Sequence, residues 1–333
     1  MNLGAGYDFI NSENTVIFPN NFVTTFGDTL PQSGVNGDNN YNKANLYGLY
    51  SITLFERLVL NGGLRFDYFN ALEEKLTISP RFSFRYAASD VVSINFATGV
   101  YRQSPSYIWL LYPGNNKLKP IQVDQYIFGA EHIFGSDIRM KVEGFYKNYK
   151  YYPTSELRNY LVMANTGAGF GGAEDNFASI GYESLVSNGD GISRGVEFSI
   201  QKKVSETPYY GILSVTYSET DFTALDEVER NGQFDQNWIA NLSAGYIYNS
   251  NWIFSMKFRY ASGFPYTPFQ DDGTQLVEEY LSLRLPDSYG LDLRVDKIWD
   301  FSGWTLVTYI DIQNITNQKN VNNVRWDYKT NEQ

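Results

Sequence analysis

Charged side chains placed at every second residue are the first feature of this sequence that could do chemistry. In segments such as 139–143, basic and acidic residues alternate with apolar ones, so the charges share one side of an extended chain. Guanidinium, ammonium and carboxylate groups in such a row can pair with one another or bind a polar partner. The charged row comprises Arg65, Arg81, Arg85, Arg139, Lys141, Glu143, Glu197, Lys257, Arg259, Asp292 and Arg294.

A second candidate site is an aromatic stretch with one arginine between residues 101 and 112. Aromatic rings stack on a bulky polar ligand, such as a siderophore or glycan, and a guanidinium gives it directional hydrogen bonds. Packing among the side chains of a loop explains the same stretch equally well. The candidate ligand-contact residues are Tyr101, Arg102, Tyr107, Trp109 and Tyr112.

Covalent and metal chemistry are limited by composition. The chain has no cysteine and one histidine, His132, which excludes disulfides, thiol nucleophiles, cysteine-based zinc sites and histidine-rich metal sites. A hydrolase would need His132 as its base, but the parity of its predicted strand directs it away from the charged row, beside a turn at Phe134. We therefore predict no enzyme activity, no catalytic residue, no metal site and no cofactor.

The overall composition points to a membrane β-barrel. Among 333 residues, 37 acidic and 26 basic side chains give a net charge of −11, which argues against a nucleic-acid partner. Aromatic residues make up 17% of the chain, as in transmembrane barrels with aromatic girdles. No apolar run approaches the roughly 18 residues of a spanning helix, and no signal peptide is visible at the N-terminus.

Apolar and polar residues alternate with period two, which predicts the β-strands that would position both candidate sites. Segments long enough to cross a bilayer as tilted strands recur along the chain. Thirteen strands are predicted, near 2–10, 44–55, 58–68, 78–87, 91–101, 121–133, 138–149, 192–203, 210–218, 234–248, 252–260, 289–299 and 304–313.

The predicted connections alternate between short turns and long loops. The long ones cover roughly 11–43, 69–77, 102–120, 150–191, 219–233 and 261–288, and the glycine-rich stretch 166–172 is predicted to be loop. Every long loop then leaves one end of the strands, which is typical of outer-membrane barrels. A soluble sandwich or propeller is the alternative, but it does not predict this alternation.

Several short motifs resemble the barrel of TonB-dependent outer-membrane receptors, especially the type common in Bacteroidetes. Their order and spacing along the chain carry the resemblance more than any one of them does. The motifs lie at 76–82 (LTISPRF), 99–105 (GVYRQSP), 124–131, 143–149, 193–198 (SRGVEF), 262–268 (SGFPYTP), 291–297 (LDLRVDK) and 314–317 (NITN).

The resemblance implies a barrel of about 22 strands closed around a plug domain. Residues 1–333 would then be a fragment of that barrel, without the plug, the N-terminal strands and the last strand. The implied location is the outer membrane of a Gram-negative bacterium. Residues expected to face the lumen and plug are Arg65, Arg81, Arg85, Glu143, Glu197, Arg259, Asp292 and Arg294.

The resemblance also implies a function and partners. The function is TonB-driven import of a bulky nutrient, namely a ferric siderophore, cobalamin or an oligosaccharide. The partners are outer-membrane lipid, the TonB complex acting through the plug, a small-molecule or glycan ligand and, as a further candidate, a surface lipoprotein. A passive porin, or a barrel that binds a ligand without transport, is the alternative.

Overall fold

The chain folds as an all-β protein built on one large antiparallel sheet. The computed structural model describes residues 1–17, 23–29, 34–165, 182–249, 251–327 and 329–330. The predicted glycine-rich loop 166–172 lies outside these residues. The long strands are β1 (Asn2–Ile17), β2 (Gly34–Leu54), β3 (Leu58–Phe69), β4 (Leu76–Ala87), β5 (Val92–Gln103), β6 (Ile121–Phe134), β7 (Ile138–Ser155), β8 (Leu185–Lys202), β9 (Tyr209–Thr223), β11 (Trp238–Tyr248), β12 (Trp252–Ala261), β15 (Ser288–Phe301) and β16 (Trp304–Ile312).

The sheet follows chain order from β1 to β16, with each long strand antiparallel to its neighbours. Three short strands complete the set: β10 (Glu229–Asn231) pairs with β9, while β13 (Pro265–Tyr266) and β14 (Leu283–Arg284) pair with each other. The sheet is not closed, because β1 and β16 are its edges in the described residues. All thirteen predicted strands are therefore present, in the predicted order.

The two faces of the sheet differ in chemistry. On β12, Phe254 and Met256 lie on one face, while Ser255 and Lys257 lie on the other. We call the face that carries Lys257 the polar face and the opposite one the outward face. Exposed apolar side chains on the outward face include Leu3, Phe9, Leu46, Leu64, Phe66, Ile78, Phe254 and Ile310. So large an apolar face without protein cover fits contact with lipid.

The strands run further at the long-loop end than the sequence predicts. The predicted loop 11–43 is mostly strand, because β1 continues to Ile17 and β2 begins at Gly34. The β7–β8 hairpin likewise continues to Ser155 and Leu185. These extensions are rich in Asn, Asp and Gly and lack apolar alternation, since only the bilayer requires it. Their backbone pairing continues the antiparallel ladders, without a break between β1 and β2 and with register shifts after Tyr149 between β7 and β8.

Short turns join the strands at the other end. Phe55 and Glu56 have φ values of 51° and 58°, the paired left-handed conformation of tight β-hairpins, and Gly135 has φ 59°. The connections at this end are 55–57, 88–91, 135–137, 203–208, 249–251 and 302–303. The short turns therefore lie at one end of the sheet, and the long loops lie at the other. No helix in the described ranges is long and apolar enough to cross a bilayer.

Asp137 ties two neighbouring turns together, and acid should loosen that link. Its carboxylate accepts hydrogen bonds from Lys202 Nζ at 2.5 Å and Ser205 Oγ at 2.6 Å. These two hydrogen bonds hold the pKa of the Asp137 carboxyl below its ordinary value, and the bond from Lys202 has the larger effect. A group with a depressed pKa stabilises the folded state above its unfolded pKa, about 3.9 for Asp, and the contribution is lost as pH falls through the folded pKa.

We therefore expect hydrogen exchange of the backbone amides of residues 203–207, corrected for intrinsic rates, to rise in wild type as pH falls below about 4. Asp137→Asn should already show the faster exchange at neutral pH and little further change in acid, because it cannot ionise. Equal acid responses in the two proteins would show that Asp137 does not hold the turns together.

Candidate functional site: the polar face and the loop core

The register of the sheet places the eight predicted lumen residues on one face. Arg65 lies opposite Ser79 and Glu143 lies opposite Glu197, and the same parity continues across the other ladders to β15. All of Arg65, Arg81, Arg85, Glu143, Glu197, Arg259, Asp292 and Arg294 thus lie on the polar face. Their contact with a plug stays a prediction.

Most charges on the polar face are balanced within the sheet. Residues two positions apart on a strand share a face, and three ion pairs use that spacing. These are Arg65–Asp67 at 2.7 Å, Lys141–Glu143 at 2.5 Å and Arg294–Asp296 at 2.6 Å. Between strands, Arg259 contacts Asp292 at 3.2 Å. Glu131 pairs with both Arg85, at 3.6 Å, and Arg139. Ion pairs of this kind contribute about 0–1 kcal/mol each to the free energy of unfolding. Their main effect is therefore to balance the charges on the polar face.

Two of the predicted residues have no ionic partner among the described side chains. Arg81 instead places its guanidinium carbon 4.4 Å from the ring centroid of Tyr101. Glu197 faces Glu143 across the β7–β8 ladder, and Glu143 is already held by Lys141 and, at 3.0 Å, by Asn95 Nδ2. Of the eight predicted lumen residues, Arg81 and Glu197 are therefore the two that remain available to pair with another surface.

A trough on the polar face lies towards the short-turn end of the later strands. Its volume is about 670 Å³, and the polar-face residues lining it include Ser243, Lys257, Arg294 and Asp311. Both signs of charge border it, and apolar side chains such as Ile212 and Leu293 also line it.

The five candidate ligand-contact residues are separated by the structure. Tyr101 lies on the polar face at the end of β5, under Arg81. Arg102 points to the opposite face, where it donates to the Ile78 carbonyl and, at 2.8 Å, to Gln122 Oε1. The other three lie in the loop that follows β5. Only Tyr101 therefore shares a face with the charged row.

Much of the loop end is held by a buried apolar cluster, here called the loop core. It joins connections that are far apart in the chain, and Trp109 lies within it with 6% of its surface exposed. Its members are Trp109, Leu118, Ile121, Tyr160, Leu161, Met163, Leu185, Tyr280 and Leu281. Because one face of the sheet is polar and the other is exposed, the described clusters of buried apolar residues lie at this end. The loops form a packed layer.

Buried polar residues that the sequence did not single out connect these loops. Asn115 donates to the Trp109 carbonyl at 2.8 Å and the Glu183 carbonyl at 2.9 Å, and accepts from the Leu185 amide at 3.0 Å. Arg158 forms an ion pair with Glu183, with 1% and 4% of the two side chains exposed. No local pattern distinguishes these residues from solvated loop residues.

Tyr107 belongs to a separate cluster beside the polar face. It stacks on Tyr41 with ring centroids 5.2 Å apart, and Lys43 Nζ lies 4.7 Å from its ring and 4.4 Å from that of Phe69. A cavity of about 120 Å³ adjoins this cluster. Its lining includes Asp8, Lys43, Arg65, Asp67 and Arg102. Charged residues of the sheet here meet residues of the loop that follows β5, such as Ser104 and Pro120, around a partly open space.

Tyr112 and Tyr152 show how aromatic contacts continue around the loop layer. Tyr112 meets Tyr182 edge to face at 5.4 Å. A bulge after Tyr149, where Tyr151 has φ 63°, turns Tyr152 onto Phe222 at 5.3 Å. Burial, with a smaller effect of Tyr149, raises the pKa of Tyr152 to about 12, so its hydroxyl stays neutral.

His132 lies on the outward face near a short turn, stacked on Phe134 with ring centroids 4.0 Å apart. It is on the opposite face from the charged row, as its strand parity predicts. Within the described ranges, no group of three or more His, Cys, Asp or Glu side chains is placed to hold a metal ion.

An antiparallel sheet in strict chain order, with an apolar exposed face, a charged inner face and long loops at one end, defines the outer-membrane barrel class. The family model "TonB dependent receptor-like, beta-barrel" matches residues 1–324. The chain belongs to this family, which consists of transport receptors of the Gram-negative outer membrane. No curated protein matches it at the sequence level.

Solved receptors share the fold at low sequence identity. The ferric-catecholate import receptor Fiu from E. coli K12 gives a TM-score of 0.65 at 12% identity, over 97% of this chain and 48% of that one. The outer-membrane transporter YddB from Escherichia coli gives a TM-score of 0.65 at 14% identity, over 96% of this chain and 48% of that one. FpvA from *P. aeruginosa*, solved with a heterologous ferric pyoverdine, gives 0.64 at 12% identity, over 97% and 42%. The chain spans less than half of each of these structures.

Proposed function

We propose that this chain forms the C-terminal part of a barrel that imports a bulky nutrient through the outer membrane, driven by the TonB complex. The observation that carries the proposal is the family match over residues 1–324. The charge-balanced polar face supports it, because a wet and paired surface can release a plug without leaving many buried charges unpaired. We propose no catalytic role for the chain.

The complete receptor, in this proposal, contains a plug domain, further N-terminal strands and a last strand besides residues 1–333. The open edges of β1 and β16 would pair with those strands. Arg81 and Glu197, which lack ionic partners in the described sheet, are the best placed residues to bind the plug.

The cargo would be a ferric siderophore, cobalamin or an oligosaccharide. Fiu and FpvA are named for ferric catecholates and a ferric pyoverdine, which makes a ferric siderophore the first of the three to test. The cavity beside Lys43 and Tyr107 is the contact region we favour, since cations and stacked rings there can meet an anionic, aromatic ligand. A surface lipoprotein would be an additional extracellular partner.

Uptake measurements test this function directly. Cells with and without the gene are given ⁵⁵Fe-siderophores, labelled cobalamin or a labelled oligosaccharide, each with TonB intact and inactivated. We expect one cargo to accumulate only when both the receptor and TonB are present. Accumulation that persists without TonB would instead identify a passive porin, and binding to cells without accumulation would identify a receptor that does not transport.

A further inference from the structure

The outward face of the last four long strands carries a single charged side chain, Lys297. On β11, β12, β15 and β16, all within the described residues, the register assigns to this face apolar and aromatic residues, with Thr308 and Lys297 as exceptions. A lysine on a lipid-facing surface needs a specific counter-charge or a route to water.

Two tryptophan rings flank the lysine. Lys297 Nζ lies 4.7 Å from the ring centroid of Trp252 and 5.3 Å from that of Trp299. Trp252 and Thr308 are the residues directly opposite Lys297 on the two neighbouring strands. Trp299 Nε1 donates to Thr308 Oγ1 at 3.0 Å, which fixes the second ring. The ammonium group is thus held between two oriented aromatic faces.

No carboxylate in the described chain lies within ion-pairing distance of Lys297. The nearby acids belong to the polar face: Asp296 pairs with Arg294, and Asp300 accepts a hydrogen bond from Thr305 at 3.1 Å. Trp252 and Trp299 shield the ammonium only in part, since both side chains remain exposed. The protein therefore leaves the charge of Lys297 unbalanced on the side that meets lipid.

The depth of Lys297 identifies the counter-charge. Trp252 is the first residue of β12, so Lys297 lies level with the start of that strand, near the periplasmic turns. Three of the six tryptophans, Trp252, Trp299 and Trp304, lie on the outward face at this end, forming an aromatic girdle at the level of the lipid headgroups. The anion at that depth in a bilayer is the phosphodiester of a glycerophospholipid.

We propose that Lys297, Trp252 and Trp299 form a binding site for the phosphate of one glycerophospholipid in the periplasmic leaflet. The ammonium donates to a phosphate oxygen, and the two indoles pack beside the glycerol and upper acyl chain. The site depends on the barrel lying in the membrane and not on which cargo it carries.

Native mass spectrometry of the receptor purified from outer membranes tests the site. The delipidated receptor is titrated with phosphatidylglycerol and with a diacylglycerol of the same chains, which lacks the phosphate. We expect wild type to bind at least one phosphatidylglycerol about five- to tenfold more tightly than diacylglycerol. Lys297→Met should lose that preference at one site, while Lys297→Arg should keep it. Lys257→Met removes the same charge from the polar face of β12 and should leave lipid binding unchanged.

Two results would overturn the proposal. One is equal binding of the two lipids by wild type, a comparison that needs no variant and so holds even if Lys297→Met fails to assemble. The other is an unchanged phosphate preference in Lys297→Met. Neither result would bear on nutrient uptake, which is measured separately.

Discussion

Arginine at position 213 should prevent assembly in the membrane, whereas arginine at position 214 should be tolerated. Leu213 lies on the outward face of β9, between Leu242 and Ile200 on the neighbouring strands. It is the fifth residue of a strand that begins at Tyr209, so it lies near the middle of the span. A charged side chain on the lipid face at that depth costs about 2–4 kcal/mol.

Ser214 provides a matched control because it occupies the same depth on the polar face. Its cross-strand neighbours are Ser199 and Asn241, so a guanidinium there remains in water. The measurement is the amount of heat-modifiable, urea-resistant receptor in outer-membrane fractions. We expect Leu213→Arg to fall well below wild type and Ser214→Arg to remain near it.

The comparison also tests the lipid exposure of the outward face. If that face met water, as the exposed face of a soluble sheet does, Arg at either position would leave the protein level nearly unchanged. A loss confined to Ser214→Arg would reverse the assignment of the two faces.

The barrel strands could be predicted from sequence because the bilayer acts on every outward residue. A strand that crosses lipid must show an apolar side chain at each second position, and β12 shows this from Trp252 to Tyr260. Beyond the bilayer that requirement ends. The stretch 36–40 has no apolar residue, and its place in β2 follows from pairing with β1, which local sequence does not reveal.

The strand residues of the candidate site could also be predicted from sequence, but the loop residues could not. The alternation places Arg65 and Glu143 on one face regardless of the loop conformation. Their pairing with Asp67 and Lys141 follows from the i, i+2 spacing. The aromatic stretch left two interpretations open, and Trp109 is buried in the loop core. That outcome depends on residues more than 50 positions away in the chain, so no local pattern decides it.

The buried pair of Arg158 and Glu183 should control the order of the loop layer. Replacing Arg158 with Met leaves the Glu183 carboxylate buried, with Ser155 Oγ at 2.7 Å as a remaining donor. Breaking one side of a buried ion pair destabilises a protein by about 3–5 kcal/mol, and each 1.4 kcal/mol is about tenfold in an equilibrium constant. We therefore expect local opening of the loop core to become more than a hundredfold more frequent. Hydrogen exchange of amides in 109–118 and 160–163 measures it.

The exposed pair of Arg194 and Glu219 is the control, because 64% and 34% of its side chains are in contact with solvent. Arg194→Met should cost less than about 1 kcal/mol and leave the same amides protected.

Adding Glu183→Gln to Arg158→Met removes the unpaired charge and should restore part of the protection, since an uncharged amide costs less to bury than a carboxylate. If Arg158→Met exchanges like Arg194→Met, then apolar packing around Trp109 and Leu281 alone holds the loops, and the ion pair has no structural role. If exchange rises and cargo binding falls together, the loop layer must be ordered before the ligand arrives.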